Sequence, residues 1–165
     1  MNRTIVALAW VIHWLPHPFG VSTIGATALY AGAYGNRRTA WLIPLAPLAV
    51  GALLTAVYPT VVMLCVFAGF ALATAIGRRC LARRRSTGRF TLAVVAGAGI
   101  FYLLSNLGVW LAGYYPATPE GLLSCYLAGL PFLGLSLLAD SLYTALLFGL
   151  HALARAPGTA RTASA

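Results

Sequence analysis

The sequence predicts an all-α protein: an integral membrane bundle of six transmembrane helices, with a long outer loop between helices five and six. Three observations carry this. The 165 residues are 61% hydrophobic and only 8% charged, with a mean hydropathy of +0.86. A soluble domain of this length has too little interior to hide that much apolar surface, so lipid is the implied solvent. The apolar residues also fall in runs, several of them close to the roughly 20 residues a spanning helix needs. Finally, all eleven cations are arginine, they give a net charge of +9, and they cluster at the ends of those runs.

The first run, 4–19, reads as a retained helix. Pro16-His17-Pro18 stands where a signal peptide would carry small residues for cleavage, and further spans follow. Pro16 and Pro18 end this helix, and Gly20 to Thr23 form a non-helical connection. The second run, 23–35, stops at Gly35-Asn36-Arg37-Arg38. Both runs are short for a crossing, which predicts tilt, a kink or a partly re-entrant path. Runs 39–57 and 60–77 follow, joined by a tight turn at Tyr58-Pro59. "GRRCLARRRSTGR" (77–89) is the strongly polar loop before the fifth run, 90–113. An additional apolar piece, 121–133, precedes the last run, 137–154. The transmembrane domain thus covers 1–155, and the small polar residues 156–165 read as a disordered cytoplasmic tail.

Orientation follows from the arginines. With alternating crossings, one side receives all eleven, provided that 121–133 does not cross. That distribution fits the positive-inside rule and predicts six crossings with both termini cytoplasmic. It makes the stretch from Gly113 to about Phe132 a long external loop whose helix lies on or dips into the surface.

Composition also excludes functions. The basic residues form no aromatic-interleaved face and no nucleic-acid module, so no nucleic-acid partner is expected. Cys65, Cys80 and Cys125 have neither CxxC nor zinc-finger spacing. No GxxxxGK[ST] loop is present to bind nucleotide phosphates. With one Glu, one Asp and three His, paired acid–base groups are scarce, so an enzyme is not expected. Cys125 with a histidine is conceivable as nucleophile and base, but nothing in the sequence brings them together.

The polar and aromatic residues that are not arginine gather on the predicted outer face. They include His13, His17, Thr23, Asn106, Trp110, Tyr114, Tyr115, Glu120, Cys125, Tyr126 and Asp140. A small-molecule pocket needs apolar and aromatic walls with a few convergent polar groups, and this set has that character. Tyr114 and Tyr115 equally suit a membrane-interface belt. Asn106 and Trp110, at i and i+4, share a helix face; the amide serves either a ligand or an interhelical hydrogen bond. Asp140 is the one carboxylate inside an apolar run, with Tyr143 at i+3 on its face. It either meets a ligand or is hydrogen-bonded and holds the outer loop. Glu120, after Thr118-Pro119, suits a helix first turn. His13 and His17 have a spacing that can grip a metal or haem iron, but Pro16 lies between them and no third ligand is near. No metal site or cofactor is expected. Small residues recur at four-residue spacing in the second helix (Ala28-Gly32, Ala31-Gly35) and the fourth (Gly69-Ala73-Gly77), rows that let helices approach closely.

"LPHPFGVSTIGATALYAGAYG", "SNLGVW", "YPATPEGLLSCY" and "LPFLGLSLLADSLYTALLFGL" together resemble a bacterial membrane family of unknown function, over about Leu15 to His151. That family in turn is similar to the S-components, the substrate-binding subunits of energy-coupling-factor vitamin transporters. Ala28-Leu29-Tyr30-Ala31-Gly32 and Pro131-Phe132 stand where S-components have an "ALxxGxxxG"-like second helix and a proline opening the sixth. The resemblance implies six helices and a ligand pocket at the outer face, with His17, Thr23, Asn106, Trp110, Tyr126 and Asp140 facing the ligand. It implies uptake of a water-soluble, vitamin-like micronutrient across the bacterial cytoplasmic (inner) membrane, with an energy-coupling membrane subunit as the candidate partner. Two places depart from the pattern. Residues 4–15 lack an AxxxA docking row, and Val50-Gly51 stand where a third-helix carboxylate is common. A solitary relative working without a dedicated module tolerates the first departure. The alternative is a non-transporting membrane scaffold or assembly subunit, whose outer residues would be packed without a cavity.

Overall fold

The computed structural model describes residues 1–16, 21–55 and 57–155. Among them all regular structure is helical: α1 (Arg3–Trp14), α2 (Ile24–Tyr34), α3 (Leu42–Thr55), α4 (Thr60–Leu81), α5 (Thr87–Leu111) and α6 (Pro119–Leu153). The expected tail, 156–165, lies outside the described residues.

Local chemistry sets the helix ends. The Asn2 side chain caps α1 by accepting from the Thr4 amide at 3.0 Å. The helix stops at Trp14, earlier than the run 4–19 suggests, with Leu15 extended at φ −72°, ψ 148°. A residue before proline is pushed out of the helical region, and Pro16 follows. Ser86 and Thr118 cap α5 and α6 with their side chains. Pro119 sits in the first turn of α6, where its missing N–H costs nothing.

The centre of the bundle is α2. Nine consecutive residues, Ile24 to Gly32, are buried, as expected of a helix that is apolar all round. Its 11 residues span only about 16 Å, against a hydrocarbon core of about 30 Å, so α2 is an interior strut. It crosses α4 at close range. A Cβ added at Gly32 would overlap the Thr74 carbonyl, and one at Gly77 would overlap Leu29. The small-residue rows of α2 and α4 therefore meet each other.

Three helices, α4, α5 and α6, are long and apolar enough to cross a membrane, whereas α1 and α3 are shorter apolar helices. Leu53, Leu64, Leu92, Leu103 and Leu142 point outward and are exposed. In water such a surface is a liability, and in lipid it is the solvated face.

The expected long outer loop is not there. After α5 the chain turns through Ala112 to Thr118, with Gly113 at φ +83°, and then runs as one 35-residue helix. The pieces 121–133 and 137–154 are thus a single element. Pro131 lies inside it, removing one donor without ending it. In apolar surroundings an opened backbone has no water to satisfy it, so the helix continues. Its first half lies antiparallel along the second half of α5, with Tyr102 and Tyr126 ring centroids 5.6 Å apart. Its second half runs beside the start of α5, where Phe90 and Phe148 meet edge to face at 4.9 Å.

The arginine-bearing helix ends gather at one end of the bundle. Arg78 donates to the Gly35 carbonyl at 3.1 Å, and the Arg85 guanidinium lies 4.1 Å from the Tyr34 ring centroid. Tyr34 stacks on His151 at 3.8 Å. His151 Nδ1 is hydrogen-bonded to the Tyr30 hydroxyl at 2.6 Å, which also accepts from the Asn2 amide at 3.3 Å. The ends of α2, α4 and α6 and the starts of α1 and α5 share this arginine end.

Candidate functional site

At the opposite end, the N-terminus of α2 opens onto a cavity of about 300 Å³. Its apolar wall includes Val66 from α4 and the stacked pair Phe70 and Phe101, with ring centroids 4.4 Å apart. Its polar lining converges from four parts of the chain: His13, Ser22, Tyr58, and Ser136 with Asp140 from α6. A second space of about 400 Å³ toward α3 shares His13, Leu48, Tyr58 and Val66 with it. An apolar cleft with a few convergent polar groups is the usual form of a small-molecule site.

The start of α2 explains why these groups converge. A helix leaves its first amides without intrahelical partners and carries partial positive charge there. Thr23 stands at the N-cap but makes no side-chain cap bond. Its hydroxyl instead donates to the Ala9 carbonyl at 2.8 Å, tying α2 to α1. Ser22 takes over part of the capping, accepting from the Ile24 amide at 3.2 Å. The same hydroxyl pairs with His13 Nδ1 at 3.2 Å. Asp140 supplies the rest from α6. Its carboxylate lies against Gly25, where an added Cβ would overlap it, and has the Ala26 backbone amide as hydrogen-bonding partner. Asp140 is buried and lines the cavity, so one carboxylate caps a helix and also faces an open space.

The residues expected to face a ligand do not form one cluster. Asp140 lines the cavity. Thr23 is adjacent but fully engaged with Ala9. Asn106, Trp110 and Tyr126 lie on the α5–α6 hairpin and bond to its backbone. The Asn106 amide donates to the Tyr102 carbonyl at 2.8 Å and packs against Gly129. Trp110 Nε1 donates to the Pro116 carbonyl at 2.9 Å across the turn. The Tyr126 hydroxyl donates to the Leu103 carbonyl at 2.8 Å, and that of Tyr102 returns to the Tyr126 carbonyl at 2.6 Å. Cys125 completes this zipper, donating to the Asn106 carbonyl at 3.4 Å. His17 lies outside the described residues. Among the described residues, no three of His, Cys, Asp and Glu come close enough to hold a metal ion.

His13, Ser22, Tyr58 and Ser136 line the cavity but are not among the residues expected to face a ligand, His13 having been placed only on the predicted outer face. Ser136 was within reach of sequence reasoning, since it precedes Asp140 by four residues and shares its helix face. Ser22 and Tyr58 come from separate connections and carry no periodic signal.

Among the described residues, architecture and site together define an all-helical, membrane-type protein with a polar-lined cavity at the end remote from its arginines. The chain belongs to a family of unknown function, DUF6580, whose model matches residues 2–161. No curated protein and no solved structure matches it.

Proposed function

We propose that this chain binds a small water-soluble solute, of the vitamin-like micronutrient class, in the cavity at the start of α2, and serves its uptake. One observation carries the reading: His13, Ser22, Tyr58, Ser136 and Asp140 converge on a space walled by stacked phenylalanines. A buried carboxylate facing a cavity favours a ligand that donates hydrogen bonds or carries positive charge, and the aromatic wall favours a flat apolar portion. In this reading the arginine end is cytoplasmic, the six helices cross the bacterial inner membrane, and the cavity faces outward. The S-component resemblance supports the same arrangement, with energy supplied by a partner subunit. A scaffold role is the second reading, favoured by the backbone bonds that occupy Asn106, Trp110 and Tyr126.

Thermal-shift and native mass measurements on detergent-purified protein, against a panel of water-soluble vitamins, test the proposal. At least one compound should stabilise the wild type. Ser136→Leu, which fills the cavity from its wall, should abolish that response. Stabilisation by none, or equal stabilisation of Ser136→Leu, would move the reading to a scaffold.

A further inference from the structure

A further space lies at the other end of the molecule, in the groove between α5 and α6. It measures about 810 Å³ and shares no lining residue with the cavity at α2. Its walls are Phe90, Val94, Leu137 and Phe148, and Arg85 stands at its mouth. Along α6 it reaches from Ala152 to Leu137, about 22 Å at 1.5 Å per residue. One leaflet of a bilayer has a hydrocarbon depth of about 15 Å. The groove therefore has the length and apolarity of an acyl chain rather than of a compact solute.

Two further observations bear on what fills it. Arg85 lies over the faces of Tyr34 and Phe148, and its Nε donates to the Leu81 carbonyl at 3.0 Å. The chain's two acidic side chains, Glu120 and Asp140, belong to α6 well before this end, so among the described residues the positive charge at the mouth is met by rings and not by a carboxylate. Deeper in, the Thr144 hydroxyl lines the groove. It is 2% exposed and has no hydrogen-bond partner among the described residues. A buried hydroxyl left unpaired is costly, which is a reason for an acceptor to sit beside it. Basic pockets between membrane helices recognise anionic headgroups by this combination of charge and apolar cleft.

We propose that the α5–α6 groove at the arginine end binds one anionic phospholipid, its phosphate on Arg85, its headgroup side passing Phe90 and Phe148, and one acyl chain along Val94 and Leu137. The glycerol ester region lies at the level of Thr144, where a carbonyl accepts from its hydroxyl. This site is independent of the solute cavity, and its failure leaves that reading intact.

Native mass spectrometry in a neutral detergent tests it, with equimolar phosphatidylglycerol and phosphatidylcholine of identical acyl chains added to the full chain. The wild type should retain a single phosphatidylglycerol in preference to phosphatidylcholine. Arg85→Gln should lower that preference about fivefold, the worth of one cation at a headgroup. Thr91→Trp, which plugs the groove from an exposed position on α5, should remove the retained lipid of either kind. Arg37→Gln, at the turn after α2, should leave the preference unchanged. Equal retention of both lipids by the wild type would overturn the proposal. So would loss of preference in Arg37→Gln matching that in Arg85→Gln, or undiminished retention by Thr91→Trp.

Discussion

Asp140 has two duties, and they respond differently to substitution. As a cap it needs only an acceptor for the Ala26 amide; as a cavity group its charge matters. Asp140→Asn keeps an acceptor of the same shape, so stability should fall by less than about 1 kcal/mol while any ligand-induced stabilisation is lost. Asp140→Leu leaves the start of α2 short of a cap and should cost about 1–3 kcal/mol. Gly25→Ala should mimic it without touching the carboxylate chemically, because the new methyl occupies the carboxylate's place. Thermal denaturation of the three variants checks the ordering; equal loss in Asp140→Asn and Asp140→Leu would assign the residue to charge alone. Asp140 itself was legible in the sequence, as the one carboxylate in an apolar run. The meaning of Asn106, Trp110 and Tyr126 was not. A polar side chain in an apolar helix needs a partner, and the sequence does not say whether that partner is a ligand or, as here, a neighbouring carbonyl.

At the scale of elements, the bundle is organised around the crossing of α2 and α4. Gly32 and Gly77 let the two backbones approach until each faces the other's carbonyl or Cα atoms. Neither glycine tolerates a side chain, because backbone rather than a flexible side chain stands opposite. Gly32→Val and Gly77→Val should each destabilise by several kcal/mol, whereas Gly99→Val, with open space before it, should change melting little. Equal melting of all three would mean the helices can separate without loss. The small-residue rows marked both helices for close approach in the sequence, without pairing them with each other. The course of α6 was hidden by ambiguous signals. Thr118-Pro119 suits a helix first turn at Glu120 and forms the cap of α6, but Pro131 reads as the opening of a separate sixth helix and instead lies inside the same element. Proline's effect depends on whether solvent can replace the lost bond, which composition alone does not reveal.

For the whole molecule, the lengths of the helices and the positions of their ends have to be reconciled. α1, α2 and α3 have 12, 11 and 14 residues, about 16–21 Å each, which by themselves fall short of the hydrocarbon core. Their ends are nevertheless fixed against the longer helices. Gly35, after α2, is held by Arg78 near the end of α4, while Ser22, before α2, lines the cavity together with Asp140 and Phe101. His13, near the end of α1, and Tyr58, after α3, reach that same cavity. The short helices thus traverse the layer between the arginine end and the cavity end with help from the connections that flank them. Six crossings follow if α4, α5 and α6 span the membrane and the packing holds. In a variant with Cys65, Cys80 and Cys125 replaced by alanine, single cysteines at Arg38, Gly88, Tyr58 and Ala117 distinguish the arrangements by labelling with a membrane-impermeant maleimide in intact bacterial cells. Tyr58→Cys and Ala117→Cys should label from outside, and Arg38→Cys and Gly88→Cys only after the membrane is opened. If α1 to α3 instead lay on the outer surface, Arg38→Cys would label in intact cells while Gly88→Cys stayed protected. That outcome would require the Arg78–Gly35 contact to be broken, because the two sites would then stand on opposite sides of the membrane.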